Sequence, residues 1–331
     1  MRTHVTIKEV AREAHVSVAT VSRVFAGGTA SEASRDAVTK AAQKLHYVPN
    51  GVARSLRVQR QGVVAALVSD VRNPYFGLLA HALQTELAEN DLVMILGNAS
   101  EDYQKQEEFL EKALEHRVDG MVLAIHSKKS PALDKILARG VPVVFVDRAA
   151  PNYDVPYVGS EAASGIRAAL TYLKEQGHRR IALVSGIEDT STVRERQEAF
   201  EKIGTELGLA TGVNAKGATP AQLYEEWVNS DATAVLFAYA PNMWPVLQYL
   251  SRKGVKIPND LSVIGYDDLP IMEHLHPPLT TIGQEVAEMS RRAVKILVDL
   301  LENKQVKGSR IPTKLIVRKS TGKPRKGALS K

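Results

Sequence analysis

The sequence contains no cysteine. That excludes a disulfide framework, a thiolate metal site and a cysteine nucleophile. No run approaches the roughly 18 consecutive apolar residues that a membrane helix needs. The first residues, with Arg2, His4, Lys8 and Glu9 among them, are too charged for the apolar core of a signal peptide, so a cytoplasmic protein is the simplest expectation. Enzyme signatures are missing as well. There is no Walker phosphate loop, no Gly-x-Gly-x-x-Gly after a strand and no Gly-x-Ser-x-Gly elbow. No internal repeat or low-complexity segment is visible. Asp267, Asp268, Glu273, His274 and His276 cluster in sequence, but their spacing fits no established ligand pattern. No metal and no cofactor are therefore expected.

What is present is ordinary globular material: 331 residues, 44% hydrophobic and 24% charged. That length suggests two or three domains. Charge is unevenly placed. Residues 1–60 carry a net +6, residues 61–317 a net −6 and residues 318–331 a net +6. A basic first module on an acidic body points to an anionic partner for that module, although a chance distribution with a basic tail reads the same.

Three short helices fit residues 6–45. Thr6-Ile7-Lys8-Glu9 is a capping box, and Ile7, Val10, Ala11 and Ala14 follow at the spacing of one buried helix face. Ser17 can cap a second helix whose inner face is Ser17, Thr20, Val21 and Val24; Val18, Ala19, Ser22 and Arg23 share its outer face. Ser31 can cap a third, with Val38, Ala41, Ala42 and Leu45 inward. Two helices joined by Ala14-His15-Val16-Ser17 form a helix-turn-helix, which sets its second helix in the DNA major groove. An ordinary three-helix bundle with no ligand has the same pattern.

Residues 49–61 read as a connector. Pro49-Asn50 is a stop followed by a new cap, and Gly51–Arg57 is too short to be a stable helix by itself in water. Leu56 has no local apolar partners. From Gly62 onward, Val/Ile/Leu strands alternate with amphipathic helices. Expected strands are Val63–Val68, Leu92–Leu96, Gly120–Ile125, Val141–Val146, Ile181–Ser185, Ala234–Ala238 and Leu261–Tyr266. The pattern means parallel sheets covered on both faces, and about 260 residues favour two sheets over one. Two doubly wound lobes bind ligands at the carboxyl ends of their strands, in the cleft between them. The expected division is a helix-turn-helix domain over 1–48, a hinge over 49–61, a two-lobed α/β core over 62–322 and a disordered basic tail over 323–331.

These residues together resemble the LacI/GalR family of bacterial transcription regulators. The likeness runs from Val5 to about Gly322. It is carried by Val5-Thr-Ile-Lys-Glu-Val-Ala11, Val16-Ser-Val-Ala-Thr-Val-Ser-Arg-Val24, Tyr47-Val-Pro-Asn50 and Ala53-Arg-Ser-Leu56, and later by Asn73-Pro-Tyr-Phe76, Val146-Asp-Arg148, Gly177-His-Arg-Arg-Ile181, Val263-Ile-Gly-Tyr-Asp-Asp268 and Pro277-Pro-Leu-Thr-Thr281. The resemblance implies a helix-turn-helix headpiece, a hinge helix and a core like the periplasmic sugar-binding proteins. One lobe would hold about 62–160 and 289–317, the other about 161–288. It also implies a dimeric repressor on a near-palindromic double-stranded operator, without a membrane, controlled by a small molecule in the cleft. Val18, Ala19 and Arg23 take the base-reading positions; Ser17, Thr20, Ser22 and Thr6 are candidate phosphate contacts. In the hinge, Asn50 would cap, Ala53 would pack near the groove, and Leu56 would wedge between base pairs in the minor groove. Tyr75, Phe76, His126, Arg148, Arg196, Tyr239 and Asp267 fall on effector positions.

Four departures stand out. His15 replaces a turn glycine, which costs something if the position needs positive φ. Ala26 replaces an asparagine after the recognition helix. Tyr239-Ala240 replace a frequent Asn-Asp pair, and Ser160-Glu161 another frequent acidic-amide pair. Losing those hydroxyl partners argues against an ordinary hexose. Tyr239 could stack on a ring, favouring a nucleoside, base or furanose, or it could fill the cleft and leave a regulator cued by a protein or by nothing. An enzyme on a doubly wound fold is the remaining alternative.

Overall fold

The computed structural model describes residues 5–25, 28–47, 61–125, 129–186, 190–213 and 217–326. Asn50, Ala53 and Leu56, expected to form a hinge, lie outside them, as do Ala26 and His126. The chain divides into two compact units, Met1–Gln61 and Gly62–Lys331.

The first unit has three helices, α1 (Ile7–Glu13), α2 (Val18–Phe25) and α3 (Glu32–Lys44). Their apolar faces close on one small core of Val10, Ala11, Ala14, Val21, Val24, Val38, Ala41 and Ala42. Of the expected inward positions those eight are buried, Ile7, Thr20 and Leu45 are half-buried, and one needs correction. Ser17 is exposed rather than inward. It sits just before α2, so its side chain turns to the helix end, where its Oγ accepts from Thr20 N–H at 3.1 Å.

The second unit holds two six-stranded sheets. The first is built from β1 (Val63–Val68), β2 (Val93–Asn98), β3 (Gly120–Leu123), β4 (Val143–Val146), β5 (Tyr157–Glu161) and β11 (Ser309–Pro312), in the order β11-β5-β4-β3-β1-β2. Every pairing in it is parallel. The second is built from β6 (Arg180–Val184), β7 (Ala210–Val213), β8 (Ala234–Phe237), β9 (Ser262–Tyr266), β10 (Thr280–Gly283) and β12 (Lys314–Ile316), in the order β12-β10-β9-β8-β6-β7. Only β12 runs antiparallel, against β10. The unbroken burial of β3, β4, β8 and β9 reflects helices on both faces. Those that matter below are α4 (Pro74–Ala88), α5 (Tyr103–Glu115), α6 (Pro131–Ala138), α7 (Ala162–Gln176), α8 (Ser191–Glu206), α9 (Pro220–Ser230), α10 (Ala240–Arg252) and α11 (Val286–Leu301).

The chain passes between lobes three times: from β5 into α7, from β10 into α11, and from β11 into β12. The third passage corrects the expected boundary, because residues 314–316 belong to the second lobe. The tail is a second correction. Residues 318–325 are bound to the second lobe instead of being disordered after Gly322. Ser320 Oγ donates to Val263 O at 2.6 Å, and Gly322 N–H donates to Ser262 Oγ at 3.0 Å. Arg325 Nη1 donates to the carbonyls of Ala232 and Asp260, each at 2.9 Å. Buried His178 bridges Thr233 Oγ1 at 2.8 Å and Gly322 O at 2.9 Å. The charge pattern concealed this, since most of these bonds end on a backbone group, which every residue carries.

Candidate functional site

In the first unit, α2 divides cleanly between a packed and an open face. Val21 and Val24 are buried, whereas Val18 (41% exposed), Ala19 and Arg23 face outward and Thr20 and Ser22 are half-buried. Thr6 is exposed at the start of α1; its N–H and Oγ both donate to Glu9 Oε2, at 2.7 and 2.8 Å. Those bonds hold the Glu9 carboxyl below its usual range. His15 has φ of 52°, so the turn does require the left-handed conformation a glycine would take freely. His46, after α3, repeats this at 50°. Arg23 is held from behind by a residue the sequence reading passed over. Gly28 N–H donates to Arg23 O at 2.9 Å, and a Cβ on Gly28 would stand 2.8 Å from Arg23 Cγ. Glycine there gives the arginine stem its room. An apolar residue, a methyl group and a guanidinium thus share one exposed strip, flanked by hydroxyls. Such a strip can contact thymine methyls, guanine edges and phosphates.

The second candidate site is the inter-lobe cleft, built from strand ends. Asp147 directly follows β4 and Asp267 directly follows β9, at matching places in the two lobes. Both are buried, and both have positive φ, 61° and 69°. Non-glycine residues in that region are uncommon and cluster at functional sites. Tyr75, at the start of α4, donates to Asp147 Oδ1 at 2.7 Å. Gln284, just beyond β10, donates to Asp267 Oδ1 at 2.6 Å and accepts from Ser160 Oγ at 2.5 Å.

Two buried arginines face these carboxylates. Arg196 lies over the Tyr266 ring at 3.7 Å and donates to Ala238 O at 2.7 Å. Arg148 stands 5.2 Å from the Phe76 ring and makes a bidentate pair with Glu101, at 2.7 and 2.9 Å. Tyr239, from the other lobe, brings its hydroxyl to 3.5 Å from Glu101 Oε1. Ala149 N–H donates across the lobes to Ser191 Oγ at 3.2 Å. An opening of about 360 Å³ adjoins Tyr239, walled by Val184, Ala218, Pro220, Leu223 and Pro245.

These groups act on each other electrically. Burial raises the carboxyls of Asp147 and Asp267 above their usual range, and the nearby arginines pull them only part of the way back. Burial works against the Arg196 charge, but Tyr266, Asp267 and Asp147 outweigh it and the guanidinium is held more firmly protonated. Burial and then Glu101 push the Tyr239 phenol up to about 12. The structure therefore brings together Tyr75, Phe76, Arg148, Arg196, Tyr239 and Asp267. It adds Glu101, Asp147 and Gln284, which the sequence reading did not single out. Glu101 has φ of 56° and follows β2; nothing in its sequence neighbourhood says that it turns inward. Among the described residues, no group of three or more His, Asp or Glu side chains could hold a metal ion, and no helix is long and apolar enough to cross a membrane.

Comparison with known proteins matches stretches of both units. A family model described as bacterial regulatory proteins, lacI family, matches residues 6–50, and one described as a periplasmic binding protein-like domain matches residues 170–321. The ribose operon repressors of Halalkalibacterium halodurans and Bacillus subtilis are each 31% identical to this chain over 96% of its length, and over 97% and 99% of theirs. The transcriptional repressor CytR of Escherichia coli is 29% identical over 96% of this chain and 97% of its own. Among solved structures, the lac repressor dimer bound to operator and the anti-inducer ONPF superposes with a TM-score of 0.84 at 25% identity, covering 97% of this chain and 100% of that one.

Proposed function

The chain belongs to the lacI family of bacterial regulatory proteins, and from that premise we propose how its residues divide the work. It is a DNA-binding transcriptional repressor with a small-molecule effector, and it works as a homodimer in the cytoplasm. The observation that carries the DNA half is the open strip of α2. Val18 and Ala19 supply apolar contact with base edges. Arg23 donates two parallel hydrogen bonds to a guanine, worth about 1–3 kcal/mol of discrimination. Ser17, Thr20, Ser22 and Thr6 bond phosphates and set the register. A two-fold dimer repeats this reading on two half-sites.

The effector half is carried by the cross-lobe cluster. Asp147, Asp267 and Arg196 offer acceptors and donors to sugar hydroxyls, and Tyr75 and Gln284 hold the two carboxylates in place. Tyr239 lies beside a largely apolar opening, which suits a ring attached to the sugar. Together with the relatives named as ribose operon repressors, this favours a pentose or a furanose-bearing ligand. Such a ligand acts only by favouring one lobe arrangement over another, with a coupling of about 1–3 kcal/mol. A second reading has one observation behind it: Glu101, Arg148 and Tyr239 already meet across the cleft, which suits a regulator that needs no small molecule.

The test is selection of DNA sites from a random pool by the full-length protein, followed by titration of the selected site with pentoses, hexoses, nucleosides and free bases. A two-fold symmetric consensus whose binding changes with one ring-bearing class is the expected result. No symmetric consensus sinks the DNA assignment. A consensus insensitive to every compound moves the protein to the second reading.

A further inference from the structure

The cleft is rich in charge, yet its cations are already engaged. Among the described residues, three arginines and four carboxylates stand in or beside it. Arg72, at the rim, donates three side-chain hydrogen bonds to Asp70, at 2.7 to 3.0 Å. Arg148 has both terminal nitrogens on Glu101. Arg196 lies in the combined field of Asp267 and Asp147, with Nη1 committed to a backbone carbonyl. The helix ends that follow β1 and β6 are also closed. Asn73 Oδ1 accepts from Tyr75 N–H at 3.1 Å, and Thr190 Oγ1 accepts from Val193 N–H at 3.4 Å. A phosphate or carboxylate entering here would meet four carboxylates against three arginines, each guanidinium already bonded to an acceptor. An uncharged polyol meets a different surface. The Nε of Arg148 is buried without a hydrogen bond, and the aspartates retain lone pairs for hydroxyl donors.

We infer that the cleft selects ligands by charge: its effector is an uncharged hydroxylated molecule, and Glu101 enforces the choice by occupying Arg148. This rests on reading the cleft as the effector site. The physical reason is local. A buried bidentate Arg–carboxylate pair is strong and geometrically specific. Breaking it strips the half-buried Glu101 carboxylate of its charge pair with Arg148, a penalty that an incoming anion must overcome. With glutamine at 101 the guanidinium keeps its charge and loses its counter-charge, so the same pocket would attract an anion.

The experiment uses the full-length protein and matched pairs: D-ribose with D-ribose 5-phosphate, and adenosine and uridine with their 5′-monophosphates. Inorganic phosphate serves as the free anion. Thermal midpoints and calorimetric titrations are recorded for wild type and Glu101→Gln. In wild type the neutral member of at least one pair binds, and its phosphorylated partner binds about 100-fold more weakly or not at all, since placing like charges together costs several kcal/mol. Glu101→Gln gains stabilisation by inorganic phosphate and narrows the gap within that pair. Phosphorylated ligands that bind wild type as well as the neutral ones overturn the charge selection and leave the effector site standing. Wild type that responds to no member of any pair overturns both. A folded Glu101→Gln that binds the neutral ligand yet gains no phosphate response removes the role from Glu101. If that variant fails to fold, the wild-type pairs alone decide the charge selection.

Discussion

The headpiece and the cleft solve opposite problems. The headpiece keeps apolar side chains inside and presents its proposed DNA-contact residues to water. Arg23, Val18 and Ala19 contribute nothing visible to its core, which is made of Val10, Val21, Val38 and their neighbours. Fold and function therefore separate by helix face. In the cleft the proposed effector-binding residues are buried. Asp147, Asp267, Arg148 and Arg196 are each less than one-tenth exposed, and each one's charge depends on the others. There, function is drawn from groups that cost stability to bury. A surface site can therefore be altered with little effect on folding, whereas a buried charged site changes stability and response together.

The largest effect should come from violating the headpiece's division. Val21→Asp puts a carboxylate into its fully buried core and should cost about 3 kcal/mol or more. Operator binding is then lost while the core keeps its ligand response. Gel-shift and calorimetric titration of the same preparation check this, and loss of both would show that the two regions are not separable. Arg23→Ala comes next. It should weaken the selected operator by about 5- to 150-fold, from about 1–3 kcal/mol, with an unchanged melting midpoint and one base position relaxed in each half-site. A shifted midpoint would mean that Arg23 supports the fold after all.

Asp267→Asn probes the coupling in the cleft. It should cut effector affinity at least about tenfold, the scale for a lost hydrogen bond to a charged group, yet leave the ligand-free core more stable than wild type. The sign follows from the raised carboxyl. The native state holds that proton more tightly than the unfolded chain, so the wild-type group favours folding at low pH. It loses that contribution as pH rises from the usual value of 3.8 through the raised one. The variant's advantage should therefore grow over that window, as read by urea unfolding at a series of pH values. A variant less stable at every pH would show that Asp267 is needed for packing. The smallest effect concerns His178, which burial holds below its usual 6.5. The unfolded chain takes up the proton first, so wild-type stability should decline as pH falls through 6.5 toward the lower native value. His178→Gln should flatten that part of the profile; an unchanged slope would point to other groups.

Legibility in the sequence tracks the distance between partners. The headpiece closes within about forty residues, and its caps, turn and inward positions are local patterns of three and four. Thr6 with Glu9, and Val21 with Val24, could be named from spacing alone. Even there Ser17 was placed on the wrong face, because a cap and an inward position share one spacing. In the core, strand patterns announce the sheets, but the cleft joins Tyr75 to Asp147, Glu101 to Arg148 and Tyr239, and Asp267 to Gln284. No periodicity relates residues so far apart. Arg148, Arg196 and Asp267 were reached by resemblance, and Glu101, Asp147 and Gln284 were not reached. The anchoring of Arg325 is not legible, because a run of lysine, proline and arginine looks solvated when its backbone partners are out of view.

The sequence by itself determined the class of the protein, because apolar periodicity, capping residues and the order of motifs are written in short windows of the chain. It determined which face of α2 is open, since the other face must cover a core. Tertiary structure alone decided which buried charges meet. Two sheets, crossed three times by one chain, set strand ends from distant parts of the sequence against each other. Only that meeting shows that Arg148 is already taken by Glu101, and that the two aspartates stand at matching strand ends with their burial only partly offset by arginine.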